Sequence, residues 1–269
     1  MGHTITVYST RGGSGKTITS MSIARTLATR GYKTILVDVD IEAPSLIHLV
    51  PPHINPKDMK FWTQYIDDSS FHISDVIYAS RVENLSLVYS NTPEMGKHFL
   101  QTRQRVWWES ALKRELIAQQ DLYNLGYDFI ILDNQSGTSM NSVNNMILAD
   151  TSVLVVRPAN YGVDATESFI EEMYRVLKGI KPRNDFYIWN QVIKTENDDE
   201  EKILREFLNR YDPRIKKSGL TLGCEIPFDR VLNLFLLSAT DQISFDLPAD
   251  VQKPINELID KILEKSGQI

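Results

Sequence analysis

The residues best suited to chemistry form one continuous string near the N-terminus: Ser9, Thr10, Arg11, Gly12, Gly13, Ser14, Gly15, Lys16 and Thr17. Glycines free successive backbone N–H groups to turn inward and cradle phosphate oxygens. Lys16 can set its ammonium on the outer phosphates of a nucleotide, and Thr17 can offer a hydroxyl to Mg²⁺. The strict pattern G-x-x-x-x-G-K-[ST] fails, because Thr10 stands where its first glycine belongs. The variant K-G-G-x-G-K-[ST] fits, with Arg11 in the place of its leading lysine. The bland alternative is a glycine-rich turn between strand and helix. Gly12, Gly13, Gly15, Lys16 and Thr17 together outweigh it.

Such a loop needs a strand before it and a helix after it. Thr4 to Ser9 reads as strand. Residues 15–30 read as helix, with Ile18, Met21, Ile23, Ala24, Leu27 and Ala28 on one face and Gly31 as a stop. Further apolar strands are predicted over 34–39, 85–89, 129–132, 152–156, 186–193 and 220–225. Helices are predicted over 97–125, 164–177, 200–211 and 251–265. Strands apolar on both faces that alternate with helices predict an α/β fold with one doubly wound, mostly parallel sheet. Residues 1–269 read as a single domain with an irregular excursion near 51–70. There Pro51, Pro52 and Pro56 precede Phe61, Trp62 and Tyr65. Packing explains these aromatics better than a partner surface does.

Two acidic groups stand where ligand sites form in such sheets. Asp133 follows four apolar residues, which places it at a strand's carboxyl end. A carboxylate there suits Mg²⁺, held through water. Asp38 and Asp40 are two residues apart, so they share a face of an extended chain.

With these motifs in order, the sequence resembles the ParA/MinD family of P-loop ATPases with a deviant phosphate loop, nearly end to end. Val37 to Asp40 resembles that family's D-x-D segment, and Phe129 to Asp133 its second nucleotide-binding strand. Ile226, Pro227, Phe228 and Asp229 resemble the I-P-x-D turn beside the base. The resemblance implies ATP and Mg²⁺ as cofactors and slow, partner-coupled hydrolysis. It implies nucleotide contacts from residues 12 to 18, where Ile18 offers only its backbone N–H. Asn190, Pro227 and Asp229 would line the base. Thr17, Asp40 and Asp133 would form the metal set, with Asp38 supporting it. Asp40 would also polarise the attacking water, and Lys16 and Arg11 would complete the catalytic group. The family's leading lysine crosses a dimer, so Arg11 could act in trans or stay in its own subunit. In the tail Asn134 to Gly137, Asn134 or Gln135 could orient water, although solvated polar residues are the commoner case. No N-K-x-D string is present, and an asparagine amide matches the edge of adenine, so ATP is favoured over GTP.

Composition narrows the partners. The chain of 269 residues carries 29 basic and 35 acidic residues, a net charge of -6, which gives no general attraction to nucleic acid or anionic membrane. Lys178, Lys181, Arg183, Arg214, Lys216 and Lys217 are the candidates for a DNA-binding patch, a reading not favoured by the overall acidity. The closing helix has mixed charge and lacks Trp and Phe, so docking on membrane is disfavoured. Cys224, a lone cysteine, fits a reducing, cytoplasmic setting and argues against an iron–sulfur role. A homodimer formed on ATP binding that regulates a protein partner is the expected function. The alternatives are a partition-type ATPase on DNA, a small-molecule kinase or ligase on the same fold, and a module that holds ATP without turnover. The stretch 98–123, with Trp107 and Trp108, could offer a contact surface, but core tryptophans are the commoner case.

Overall fold

A computed structural model of the chain describes residues 2–92, 96, 105–238 and 240–267. Within them an eight-stranded sheet runs in the order β3-β4-β2-β5-β1-β6-β7-β8. The strands are β1 (His3–Tyr8), β2 (Thr34–Asp38), β3 (Tyr78–Ala79), β4 (Leu85–Val88), β5 (Phe129–Asp133), β6 (Thr151–Val156), β7 (Phe186–Val192) and β8 (Thr221–Pro227). All pairings are parallel except that of the edge strand β3 with β4.

The helices are α1 (Lys16–Thr29), α2 (Leu46–Leu49), α3 (Trp62–Asp67), α4 (Arg105–Asn124), α5 (Met140–Leu148), α6 (Asn160–Ile180), α7 (Asp198–Lys217), α8 (Arg230–Phe235) and α9 (Ala249–Ser266). Successive strand residues point to opposite faces, and the core divides accordingly. Leu36, Ile131 and Ile188 pack with Ile23 and Leu27 of α1 and with Leu258 and Ile262 of α9. On the other face Ile35, Val37 and Leu132 meet Ala111, Ala118 and Leu122 of α4. Further along that face Tyr187 and Trp189 meet Tyr174 of α6 and Leu208 and Ile215 of α7. Covering both faces requires strands apolar throughout, and β1, β2, β5 and β6 are almost wholly buried.

Several sequence expectations need adjusting. The helix expected over 97–125 is described from Arg105 on; residues 97–104 lie outside the described ones. Within 51–70, Phe61, Trp62 and Tyr65 are buried, and Trp62 stacks on Tyr65 with ring centroids 5.5 Å apart. The backbone N–H groups of Trp62 and Thr63 donate to the carbonyls of Tyr89 and Ser90, tying the excursion to the end of β4. Trp108 is buried and Trp107 donates its indole N–H to Asp67, so these rings join the core. Helix α5 is not among the expected helices: beside Met146 and Leu148, its buried positions are the polar Asn141, Ser142, Asn144 and Asn145.

Candidate functional site

Strand order reverses around β1, whose neighbours are β5 on one side and β6 on the other. In open α/β sheets that crevice, at the carboxyl ends of the strands, receives ligands. The loop from Ser9 to Gly15 leaves β1 there and enters α1. Gly13 and Gly15 take φ of 76° and 92°, a left-handed backbone that residues with a Cβ rarely adopt. Gly15 caps α1 with no side-chain hydrogen bond, so the helix N-terminus turns its first N–H groups toward the loop. Ser14 is buried, and its Oγ has no hydrogen-bond partner among the described residues. Arg11, Gly12 and Gly13 are exposed, and Ser9 Oγ donates to the Arg11 carbonyl at 2.7 Å. A cleft of about 570 Å³ runs from Ser9–Ser14 to Val156 and Arg157.

The carboxylates gather behind this loop. Asp38 and Asp133 are register partners in the β2–β5 pair, at 0% and 1% exposure. Asp38 accepts the N–H groups of Asp40 at 3.0 Å and Leu46 at 3.1 Å. Asp133 accepts the Ser20 hydroxyl at 2.9 Å and a hydrogen bond from Thr17. Burial pushes the Asp133 carboxyl up to about 6, against the pull of Thr17, Lys16 and Ser20. Burial, then the charges of Asp133 and Asp40, raise Asp38 well above the usual carboxylate range. Asp40 lies past the end of β2, where its Oδ1 accepts the N–H groups of Glu42 and Ala43 at 3.1 and 2.9 Å. Burial raises its pKa too, while Ala43 and Lys16 lower it.

Two buried carboxylates side by side, with the hydroxyls of Thr17 and Ser20 on Asp133, form a hard-oxygen donor set suited to a divalent cation. No cluster of three or more His, Cys, Asp or Glu side chains able to hold a metal occurs among the described residues. A Mg²⁺ that keeps several waters and phosphate oxygens needs only such a small set, so the residues fit it.

Asn190, Pro227 and Asp229 line a second cleft of about 460 Å³ together with Gly15, Ile18 and Gln191. Asn190 Nδ2 donates to the Ser14 carbonyl at 2.7 Å, which ties the end of β7 to the phosphate loop. The Asn190 amide therefore already has a protein acceptor for its N–H. Asp229 caps α8 by accepting the Leu232 N–H at 2.7 Å. Gln191, in the same cleft, has φ 59° at a β-bulge, a conformation costly for a residue with a Cβ. Its position was not legible in the sequence.

Asn134 and Gln135 are buried. Asn134 donates to the Ser142 carbonyl at 3.1 Å, and Gln135 accepts from Asn141 at 3.3 Å. Both side chains are thus engaged by residues of α5. The basic candidates are also engaged. Lys181 pairs with Asp150, Arg183 with Asp185, Arg214 with Glu167, Lys216 with Asp212 and Lys217 with Glu171. Lys178 donates to the carbonyls of Ser218 and Gly219. Cys224 is buried in β8, where burial pushes its thiol up to about 12, so it offers no thiolate. Ile255, Leu258, Ile259 and Ile262 of α9 are buried against the sheet. No described helix is long and apolar enough to cross a membrane.

A parallel sheet with a glycine loop, a lysine and a threonine at the end of its central strand, facing buried strand-end carboxylates, defines a P-loop ATPase. The family model described as an AAA domain matches residues 2–186, and the chain belongs to that family, within the ParA/MinD group of P-loop ATPases. The sporulation initiation inhibitor protein Soj of Bacillus subtilis is 27% identical over 180 residues, which cover 66% of this chain and 67% of Soj. The septum site-determining protein MinD of Escherichia coli K12 is 24% identical over 281 aligned positions, covering 98% of this chain and 92% of that protein. The solved structure of MinD complexed with Mg-ADP from Pyrococcus horikoshii superposes with a TM-score of 0.73 at 18% identity, covering 99% and 98% of the two chains.

Proposed function

We propose that this chain is a Mg-ATP-dependent switch that dimerises on ATP and, in that state, regulates or positions a protein partner. The observation that carries the reading is the buried Asp38–Asp133 pair behind the loop that presents Lys16 and Thr17. In this reading the backbone from Gly12 to Ile18 and the Lys16 ammonium bind the phosphates. Thr17, Asp133 and Asp40 hold Mg²⁺, with Asp38 behind them. When bound, that ion neutralises charge on the phosphate oxygens. Asp40, fixed by the turn at Glu42 and Ala43, orients the attacking water. Asn190, Pro227 and Asp229 enclose the base, and Asn190 Oδ1 can accept from adenine N6 while Nδ2 holds Ser14. Arg11 is exposed at the mouth of the loop, where a second subunit's nucleotide could be reached.

All eight strands share one sheet, which supports treating residues 1–269 as one domain that switches as a unit. The net charge of -6 favours a protein partner over DNA. The deciding experiment combines phosphate release with light scattering in ATP, ADP and GTP, each with and without Mg²⁺. Slow, Mg²⁺-dependent ATP hydrolysis with a dimer in ATP alone supports the reading. Rapid phosphoryl transfer to a small acceptor would instead mark a kinase or ligase, and nucleotide binding with no turnover a passive module.

A further inference from the structure

The buried tail after Asp133 and the segment carrying Asp40 touch one side chain in common. Asn141, on the first turn of α5, is 1% exposed. Its Nδ2 donates to the Val39 carbonyl at 2.7 Å and to Gln135 Oε1 at 3.3 Å. An amide nitrogen has two N–H groups, so it can serve both acceptors. Val39 lies between Asp38 and Asp40, and its own N–H donates to the Asp133 carbonyl at 3.1 Å. Its peptide groups are thus fixed on one side by β5 and on the other by α5.

The same turn of α5 is stitched to the Asp133 tail. Asn134 Nδ2 donates to the Ser142 carbonyl, and Ser142 Oγ donates to the Gln135 carbonyl at 3.2 Å. The tail is also joined to the phosphate loop, because the Gly137 N–H donates to the Ser9 carbonyl at 3.1 Å. A displacement of the tail therefore carries α5 with it, and α5 holds Val39 through a single side chain.

We propose that Asn141 is a positioning residue: it transmits the placement of the 134–137 tail to Val39 and so sets where Asp40 stands. This inference rests on the reading of Asp40 as the residue that orients water. Asn141 touches no nucleotide contact named above, so its loss should act on the hydrolytic step and spare binding. Buried amides with two acceptors on separate segments are costly to leave half-satisfied, which makes the link rigid.

The test compares Asn141→Leu, which keeps asparagine's branched shape without its donors, with Asn144→Ala. Asn144 is also buried on α5, but its side chain donates to the Trp108 carbonyl at 2.9 Å and has no hydrogen bond to Asn141, Val39 or Gln135 among the described residues. Mg-ATP affinity, single-turnover hydrolysis and Tm are measured for both, with Asp40→Ala alongside. Asn141→Leu should keep affinity within about threefold and slow hydrolysis at least about tenfold, while Asn144→Ala hydrolyses at close to the wild-type rate. If Asn141→Leu hydrolyses normally, or if both variants slow alike, Asn141 is only structural and the proposal falls. If Asn141→Leu does not fold, Asn141→Ala carries the same comparison, and failure of both to fold also assigns a structural role. An Asp40→Ala protein that turns over normally overturns the reading of Asp40 itself, an outcome separate from a normal Asn141 variant beside an inactive Asp40→Ala.

Discussion

Asp38 and Asp133 stand opposite each other in the parallel β2–β5 pair, both out of contact with water. Burial raises both carboxyls above their usual range, and at Asp38 the repulsion by Asp133 adds to it. A divalent cation removes the repulsion. Adding Mg²⁺ to the nucleotide-bound protein should therefore raise its Tm beyond what nucleotide alone gives. Asp133→Asn should lose most of that increment while folding normally. An undiminished Mg²⁺ increment in Asp133→Asn, read by thermal unfolding, rules out Asp133 as a metal-site residue.

Lys16 and Asp40 should separate binding from turnover. Lys16→Ala removes a charge-assisted contact with phosphate, a loss of about 2 kcal/mol or more in nucleotide affinity. Asp40→Ala should bind Mg-ATP and fail to hydrolyse it. Calorimetric titration and phosphate release measure the two halves, and a hydrolysing Asp40→Ala protein refutes its assignment.

Gly15 should tolerate no side chain. Its φ is 92°, and a Cβ there would lie 2.3 Å from Asn190 Nδ2. Gly15→Ala combines left-handed strain of about 1–2 kcal/mol with the loss of the Ser14–Asn190 tie. A clear fall in Tm and in ATP affinity is expected. Wild-type values for both would show that the loop relaxes around the methyl group.

Arg11 should decide association. In the Asp40→Ala background ATP is expected to give a dimer by light scattering, and ADP a monomer, because a ligand shifts this balance only through unequal affinity for the two states. Adding Arg11→Ala should return the protein to monomer, and Arg11→Lys should restore the dimer. A dimer that persists in Arg11→Ala places Arg11 within its own subunit.

Glu115 should give stability a pH slope. It is buried in α4, and neither carboxylate oxygen has a hydrogen-bond partner among the described residues. Burial raises its pKa from 4.5 to about 8. Between those values the folded state holds a proton that the unfolded state has released. Its contribution is thus fully present below pH 4.5 and lost as pH rises through 8, at about 1.4 kcal/mol per pH unit. Glu115→Gln should abolish this slope, so the variant gains on the wild type from pH 5 to pH 8 in urea unfolding. Parallel stability curves for the two proteins would be the contrary result.

What the sequence determined is local and periodic. The glycine–lysine–threonine string, the apolar runs ending in Asp38 and Asp133, the apolar residues of α1 and the amphipathic spacing of α9 each depend on neighbours along the chain. They sufficed for the α/β class, the phosphate loop and the acidic candidates. Tertiary structure decided what depends on pairing across distance. Register alone sets Asp38 against Asp133, because strand order is written in no single segment. The same holds for Asn190, whose amide finds the Ser14 carbonyl 176 residues away. Helix α5 escaped notice because hydrophobic periodicity is the signal for a buried helix. Most of its buried positions are polar, and the burial of Asn141 and Asn144 is stable only once Val39, Gln135 and Trp108 arrive to receive their N–H groups. A polar side chain's partners, unlike its polarity, exist only in the folded chain.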